Sequence, residues 1–121
     1  MFQGLRTAVY HVSDLDEATS WYTRALGIEP YFKESFYVGF NVAGYELGLD
    51  PDPAAERGPG GVGVYWGVPD IEAALAHLIE HGGTPNGEVQ DVGGGIKVAS
   101  VLDPSGNVFG VIENPHFKLP K

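Results

Sequence analysis

Two stretches of the chain repeat the same order of apolar, polar and helix-capping positions. The first contains Val12 and Asp14, and the second contains Val68 and Asp70, fifty-six residues later. In both stretches an apolar strand pattern precedes the Asp, an apolar residue follows it, and a glycine ends the helix pattern. A strand and a helix that recur at this period predict two copies of one small module.

The first copy opens with an apolar strand pattern over residues 5–12, rich in β-branched and aromatic side chains. Asp14 is a typical N-cap, Glu17 completes the spacing of a capping box, and Gly27 is a C-terminal stop. The strand-like runs that follow are residues 31–32, 35–42 and 45–50. The pair Ala43-Gly44 between the last two runs predicts a hairpin turn.

The second copy follows a stretch over residues 51–60 that is dense in Pro, Gly and charge, which predicts a linker. Residues 61–68 have a strand pattern, and Asp70 begins a helix with an apolar stripe at helical spacing. The strand patterns that follow are residues 88–92, 96–102 and 108–113, with a turn at residues 103–107. The sequence therefore predicts a single α+β domain over residues 1–121, with two tandem βαβββ modules at residues 1–50 and 61–121.

Composition narrows the class of protein. The chain has 121 residues, a hydrophobic content of 43% and no apolar run long enough to span a membrane. The absence of cysteine excludes disulfides, thiolate catalysis and cysteine-ligated metals. A formal charge of −9 argues against a nucleic-acid partner, and it either favours cationic ligands by steering or serves solubility. We expect a cytoplasmic protein with no nucleic-acid and no membrane partner.

Several short motifs together resemble a known superfamily over nearly the whole chain. They are Val12-x-Asp14-Leu15, Trp21-Tyr22 with Leu26-Gly27, Glu46-Leu47-Gly48-Leu49, Val68-x-Asp70-Ile71 and Asp103-Pro104-Ser105-Gly106-Asn107. In this order they resemble the vicinal oxygen chelate superfamily, which includes glyoxalase I, extradiol dioxygenases and bleomycin-resistance proteins. The resemblance implies that the two βαβββ modules form a curved mixed sheet around an open cavity. It also implies a homodimer.

The resemblance also indicates which residues of this chain match the metal-binding positions of the family. Metal-dependent members hold a divalent ion with His or Glu from four central strands. The matching positions here are Thr7, Glu46, Gly63 and Gly110. Only Glu46 has a side chain that suits such an ion, and a single carboxylate does not hold a catalytic ion firmly. We therefore expect no metal cofactor at this position.

Histidines offer two other metal hypotheses. A non-standard site of His11, Glu46 and His116 has no motif spacing behind it and stays open. His77 and His81 lie four residues apart on the second predicted helix, a spacing that can bind metal. Because no third ligand accompanies them, a solvated helix face is the simpler interpretation.

Alternation along the strands predicts which side chains face the cavity. In residues 45–50 the apolar set Tyr45, Leu47 and Leu49 is expected to pack on the helix, which leaves Glu46 on the cavity side. In the strand before it, the apolar set is Phe36, Val38, Phe40 and Val42. The residues that we predict to contact a ligand are Thr7, His11, Tyr37, Asn41, Glu46, Tyr65 and Lys97.

These side chains suggest two functions. Glu46 can anchor a cation, Tyr37 and Tyr65 can stack on a planar or cationic ligand, and His11 can form a hydrogen bond. We predict a metal-independent protein that binds a small organic molecule and sequesters a cationic or aromatic compound, as antibiotic-sequestering members of the family do. The alternative is a glyoxalase-like lyase or isomerase, with Glu46 as base and His11 or Lys97 polarising a carbonyl, or with a rebuilt metal site. Whether the chain is an enzyme stays open.

Overall fold

The computed structural model describes residues 1–117, and for Pro59 it describes the backbone alone. The elements of the first half are β1 (Leu5–His11), α1 (Leu15–Leu26), β2 (Phe32–Glu34), β3 (Tyr37–Val42), β4 (Tyr45–Asp50) and a 3₁₀ turn (Gly58–Gly60). Those of the second half are β5 (Val62–Gly67), α2 (Ile71–Glu80), β6 (Thr84–Pro85), β7 (Gln90–Gly93), β8 (Ile96–Leu102) and β9 (Val108–Glu113). The predicted end of the second module, residues 118–121, lies outside the described residues.

The chain divides into two compact units, and the first of them is residues 7–62. Its strands lie in the order β2-β3-β4-β1, with β1 parallel to β4 and the other neighbours antiparallel. The register of β1 and β4 places Thr7 opposite Glu46 and His11 opposite Asp50. One strand pair therefore carries two polar pairs, four residues apart along β1.

The second unit consists of residues 1–6 and 63–117. Its strand β5 is parallel to β9, β9 is antiparallel to β8, and β6 and β7 both pair with β8. The two-residue strand β6, which contains a proline and was not predicted, lies at the edge of this arrangement. The first unit thus has the order βαβββ, and the second has the same order with the short strand β6 added after α2. The predicted α+β class with two modules is confirmed.

The helices begin at the residues that the sequence predicts. The Asp14 side chain accepts a hydrogen bond of 3.0 Å from the Glu17 amide, and the Asp70 side chain accepts one of 3.1 Å from the Ala73 amide. Gly27 ends α1 in the left-handed region at φ 73°, where glycine has no steric penalty. Within residues 1–117, neither helix is both long and apolar enough to cross a membrane.

The core of the first unit lies between α1 and one face of β3 and β4. Its fully buried members are Val38, Phe40 and Leu49. The prediction that Phe36, Val42 and Tyr45 share this core is wrong, because they are 65%, 39% and 47% exposed. Each of the three lies at or beside a turn at a strand end. The alternation of apolar residues continues to these ends, but α1 does not cover the sheet there.

The core of the second unit lies under α2. The buried residues there are Val68, Ile71, Ala74, Ala99 and Val111. Beside this core Trp66 and Phe109 stack with ring centroids 5.6 Å apart, and the edge of Phe2 packs on both rings. Burial of this apolar surface stabilises the packing of α2 on the sheet.

Candidate ligand-binding site

The carboxylate of Glu46 is surrounded by three hydroxyl groups. Thr7 Oγ1 donates to Glu46 Oε1 over 3.1 Å, and the Tyr37 hydroxyl donates to the same oxygen over 3.0 Å. The Tyr31 hydroxyl donates to Glu46 Oε2 in a short hydrogen bond. We call these four residues, all within residues 7–62, the Glu46 cluster.

Two glycines make room for the cluster. Gly39 and Gly48 are cross-strand partners in β3 and β4. A Cβ added at Gly39 would lie 2.8 Å from Glu46 Oε2 and 3.1 Å from Tyr31 Cε1, and one added at Gly48 would lie 2.8 Å from Tyr37 Cε1. A larger residue at Gly48 would collide with the Tyr37 ring, and one at Gly39 would crowd the Glu46 carboxylate and the Tyr31 ring. The glycine pair therefore leaves the space that both rings occupy.

The electrostatics of the cluster keep the proton of the Tyr31 hydroxyl in place. Burial of its hydroxyl raises the pKa of Tyr31 far above the ordinary value, and the hydrogen bond to Glu46 and the negative charge of Glu46 raise it further. The Tyr31 ring is exposed, but its hydroxyl points at the carboxylate. Tyr31 is therefore a neutral donor, and hydrogen bonds to an ionised carboxylate stabilise the charge that they surround.

Aromatic side chains extend outward from the cluster. The ring of Phe32 packs on Tyr37 and on Phe36, with centroids 6.3 Å apart in both pairs. Tyr31, Phe32 and Phe36 are 61%, 40% and 65% exposed. An anionic group beside exposed aromatic faces is an arrangement that binds organic cations, since ring faces and carboxylate both attract positive charge.

Two other predicted ligand contacts of the first unit are engaged elsewhere. His11 Nδ1 lies 3.0 Å from the Gly61 carbonyl oxygen, and its Nε2 lies 3.9 Å from an oxygen of Asp50. Asn41 is opposite Glu46 in the register, but its side-chain oxygen accepts from the Gly44 amide and closes the β3–β4 turn. The structure thus brings Thr7 and Tyr37 to Glu46, while a ligand contact by His11 or Asn41 stays a prediction.

The remaining predicted contacts, Tyr65 and Lys97, belong to the second unit. Tyr65 is opposite Gly110, and a Cβ added at Gly110 would lie 2.6 Å from Tyr65 Cδ1. Lys97 in β8 has Asp91 and Glu113 as its neighbours on the flanking strands. A ligand contact by Tyr65 or Lys97 stays a prediction.

The donor set does not fit the metal of the family. The Thr7 hydroxyl donates a hydrogen bond to Glu46. Gly63 and Gly110 have no side chain that could bind a metal, and the Tyr65 ring fills the space beside Gly110. His116, the open alternative, has its Nε2 on the Gly94 carbonyl oxygen at 2.7 Å. In the described part of the chain, no three His, Cys, Asp or Glu side chains are grouped so that they could hold a metal ion.

Sequence reasoning missed Tyr31. It precedes β2, outside any run long enough to show alternation, so its facing was not predictable from the pattern. The Tyr31 amide donates to the Gly39 carbonyl oxygen over 3.0 Å, which extends the β2–β3 pairing by one hydrogen bond. A glycine across from an aromatic residue was the available signal, since such pairs allow a ring to lie flat on a sheet.

Fold and site together define an α+β protein of two βαβββ modules with a hydroxyl-ringed carboxylate in the first. The sequence model of the Glyoxalase/Bleomycin resistance protein/Dioxygenase superfamily matches residues 4–111. The chain belongs to this superfamily, and the predicted resemblance is confirmed. Among curated proteins, none matches the sequence.

Solved structures show the same fold. A methylmalonyl-CoA epimerase from Streptomyces coelicolor, in complex with 2-nitronate-propionyl-CoA, has a TM-score of 0.73 at 16% identity, covering 99% of this chain and 100% of its own. A superfamily member from Vibrio splendidus has a TM-score of 0.67 at 21% identity, covering 91% and 99%. A structure described as an NAD-dependent benzaldehyde dehydrogenase from Legionella pneumophila has a TM-score of 0.71 at 12% identity, covering 88% and 96%. At identities this low, the structural similarity establishes the fold alone and does not identify a ligand.

Proposed function

We propose that this protein binds a small organic cation without a metal, with Glu46 as the charge partner of the ligand. The observation that carries the proposal is the Glu46 cluster, in which one carboxylate has three hydroxyl partners. All three partners are neutral, so they orient the negative charge without cancelling it. A cationic ligand would supply the missing positive charge.

The surroundings of the cluster favour a ligand that is both cationic and aromatic. Tyr31, which bonds to the carboxylate, and Phe32, which packs on Tyr37, both expose ring surface. An exposed cation–π contact contributes about 0.5–1 kcal/mol. The formal charge of −9 adds a long-range attraction for cations. Sequestration of such a compound, the predicted biological role, rests on this binding chemistry.

The test uses benzyltrimethylammonium as the probe, with benzyl alcohol and phenylacetate as neutral and anionic analogues. Isothermal titration is expected to show binding of the cation and weaker or no binding of the analogues. Glu46→Gln is expected to weaken cation binding about tenfold or more, since the Coulomb attraction between two unit charges about 4 Å apart is about 1 kcal/mol in water and about 4 kcal/mol near a protein surface.

Glu88→Gln is the matched control, because it removes the same charge from an exposed residue of the second unit. It is expected to leave the affinity unchanged, as is prior treatment of the protein with a chelator. Preferred binding of phenylacetate, or equal binding by wild type and Glu46→Gln, would show that the proposal is wrong. Loss of binding after chelation would show that a metal is required.

A second proposal follows from the asymmetry of the two carboxylate oxygens. Oε1 accepts two hydrogen bonds and Oε2 accepts one, from the exposed Tyr31. Oε2 therefore keeps acceptor capacity for a proton of a carbon acid, as in the lyase or isomerase alternative. The substrate for the test is the hemithioacetal of methylglyoxal. NMR in D₂O measures whether its hemithioacetal carbon, which lies next to the carbonyl, takes up deuterium. Uptake that depends on Glu46 would support catalysis, and uptake at the uncatalysed rate would reject it for this substrate.

A further inference from the structure

Two histidines lie side by side on α2 and its C-cap. The ring centroids of His77 and His81 are 4.4 Å apart with an interplanar angle of 41°. His77 is half-buried and His81 is exposed, so solvent reaches the pair. Residues four apart on a helix lie on the same face, which makes both rings available to one ligand.

The proton position on His81 is fixed by its hydrogen bond. His81 Nδ1 lies 2.8 Å from the carbonyl oxygen of His77. Because a carbonyl oxygen only accepts, Nδ1 must carry the hydrogen, and the neutral ring presents its lone pair on Nε2. Metal-bound histidines characteristically donate their other ring N–H to an acceptor of this kind.

His77 is oriented by an aromatic neighbour. The ring of Phe2 meets it edge to face, with centroids 6.4 Å apart at 60°. Phe2 is in turn packed against Trp66 and Phe109, with centroids 6.3 and 6.0 Å away. His77 therefore packs against an aromatic cluster, and this contact restricts its ring and lowers the entropy that it would lose on binding a ligand.

The position at the end of the helix also favours a cation. The C-terminal end of an α-helix has a partial negative charge from its unpaired carbonyl groups. His81 is the C-cap of α2, and its backbone amide and its Nδ1 both bond to the carbonyl of His77. Two imidazole donors at a negative helix end suit a divalent cation of the Zn²⁺, Ni²⁺ and Cu²⁺ class.

We propose that His77 and His81 form an open two-histidine site for such a transition-metal ion, with water completing the coordination. The site belongs to the second unit and does not use Glu46. It is independent of the proposed cation binding at the Glu46 cluster.

Ni²⁺ titration of the full chain without a histidine tag tests the proposal. Calorimetry is expected to show one Ni²⁺ per chain. His77→Gln and His81→Gln are each expected to weaken binding at least about tenfold, since even the partners of metal ligands change affinity by about 10–100-fold. His116→Gln is the matched control and is expected to bind Ni²⁺ as the wild type does.

A second measurement on the wild type avoids any effect of substitution on folding. Substoichiometric Cu²⁺ is expected to broaden the NMR signals of the His77 and His81 rings before those of His11 and His116. Absent stoichiometric binding, unchanged affinity in His81→Gln, or earlier broadening of His11 or His116 would each overturn the site.

Discussion

At Glu46, a ligand must compete with a side chain of the protein itself. The Tyr31 hydroxyl holds Glu46 Oε2, and the Tyr31 ring is the most exposed part of the cluster. An arriving cation would take over this oxygen while the ring remains available as an aromatic face. Tyr31 therefore has opposite effects on binding, one through its hydroxyl and one through its ring.

Tyr31→Phe separates the two effects. The substitution removes the competing donor and keeps the ring, so the affinity for benzyltrimethylammonium is expected to rise by a few fold, in line with about 1 kcal/mol for one hydrogen bond. Isothermal titration measures the change, and Tyr45→Phe, outside the cluster, is the control. Weaker binding by Tyr31→Phe would show that the hydroxyl contacts the ligand rather than competing with it.

The raised pKa of Tyr31 predicts how stability depends on pH. The folded protein keeps the Tyr31 proton where an unfolded tyrosine, with a pKa of 10.0, has begun to lose it. The contribution to stability is therefore complete below pH 10 and is lost as the pH rises above it. Urea unfolding between pH 9 and 11 is expected to show this decline, and Tyr31→Phe is expected to make it shallower. The decline from Tyr22, whose pKa is raised by burial and by Tyr10, would remain.

At the scale of elements, each helix begins at an aspartate, and the start of α2 has an additional partner. The Ile71 amide donates to Glu113 Oε1 over 3.0 Å, so a carboxylate from β9 serves the first turn of the helix. Local capping was visible in the sequence, but this bond joins residues forty-two positions apart and has no local signal. The N-terminus of α2 thus has two carboxylate acceptors where α1 has Asp14.

Asp14→Ala and Asp70→Ala test whether this difference matters. Each is expected to lower the free energy of unfolding by about 1 kcal/mol, the usual cost of an N-cap. The loss is expected to be smaller for Asp70→Ala, because Glu113 still holds the first turn of α2. Urea denaturation measures both, with the exposed first-turn residue Asp16 changed to Ala as the control. An equal loss at both caps would show that Glu113 does not support the helix start.

The turn at Asp103 shows what local sequence can predict. Hydrogen bonds from the side chain and then the backbone of Asn107 lower the pKa of Asp103, with further backbone bonds from Ser105 and Gly106. All of these partners lie within four residues, and the turn was predicted. Helix caps and the β3–β4 hairpin were predictable for the same reason, since each depends on residues close in the chain.

The candidate site was only partly predictable, because it depends on register and side-chain direction. Alternation placed Glu46 and Tyr37 on one side of the sheet, and the motif alignment singled out Thr7. Tyr31 was missed because the strand it precedes is three residues long. Asn41 had the correct parity, but its short side chain bonds to the neighbouring turn, a local competition that no face assignment reveals.

At the scale of the whole molecule, the negative charge predicts how binding responds to salt. A cation approaching a chain of formal charge −9 gains attraction that salt screens over about 10 Å at 0.1 M. The affinity for benzyltrimethylammonium is expected to fall between 20 and 500 mM NaCl, whereas that for benzyl alcohol is not. Titration at several salt concentrations measures this, and Glu46→Gln is expected to reduce the salt dependence. A cation affinity that is independent of salt would contradict a charge-based site.

At Gly39 and Gly48, a single added carbon atom would change the contacts of Glu46. Adding one methyl group at position 48 would force the Tyr37 ring off the sheet and take one hydroxyl from Glu46, while leaving the residues that pack on α1 untouched. The same addition at position 39 would crowd Tyr31 and the carboxylate together. Single substitutions at residues 39 and 48 would therefore change the ligand preference of the site while the core of the fold is kept. We expect related proteins with different ligands to differ at these two positions.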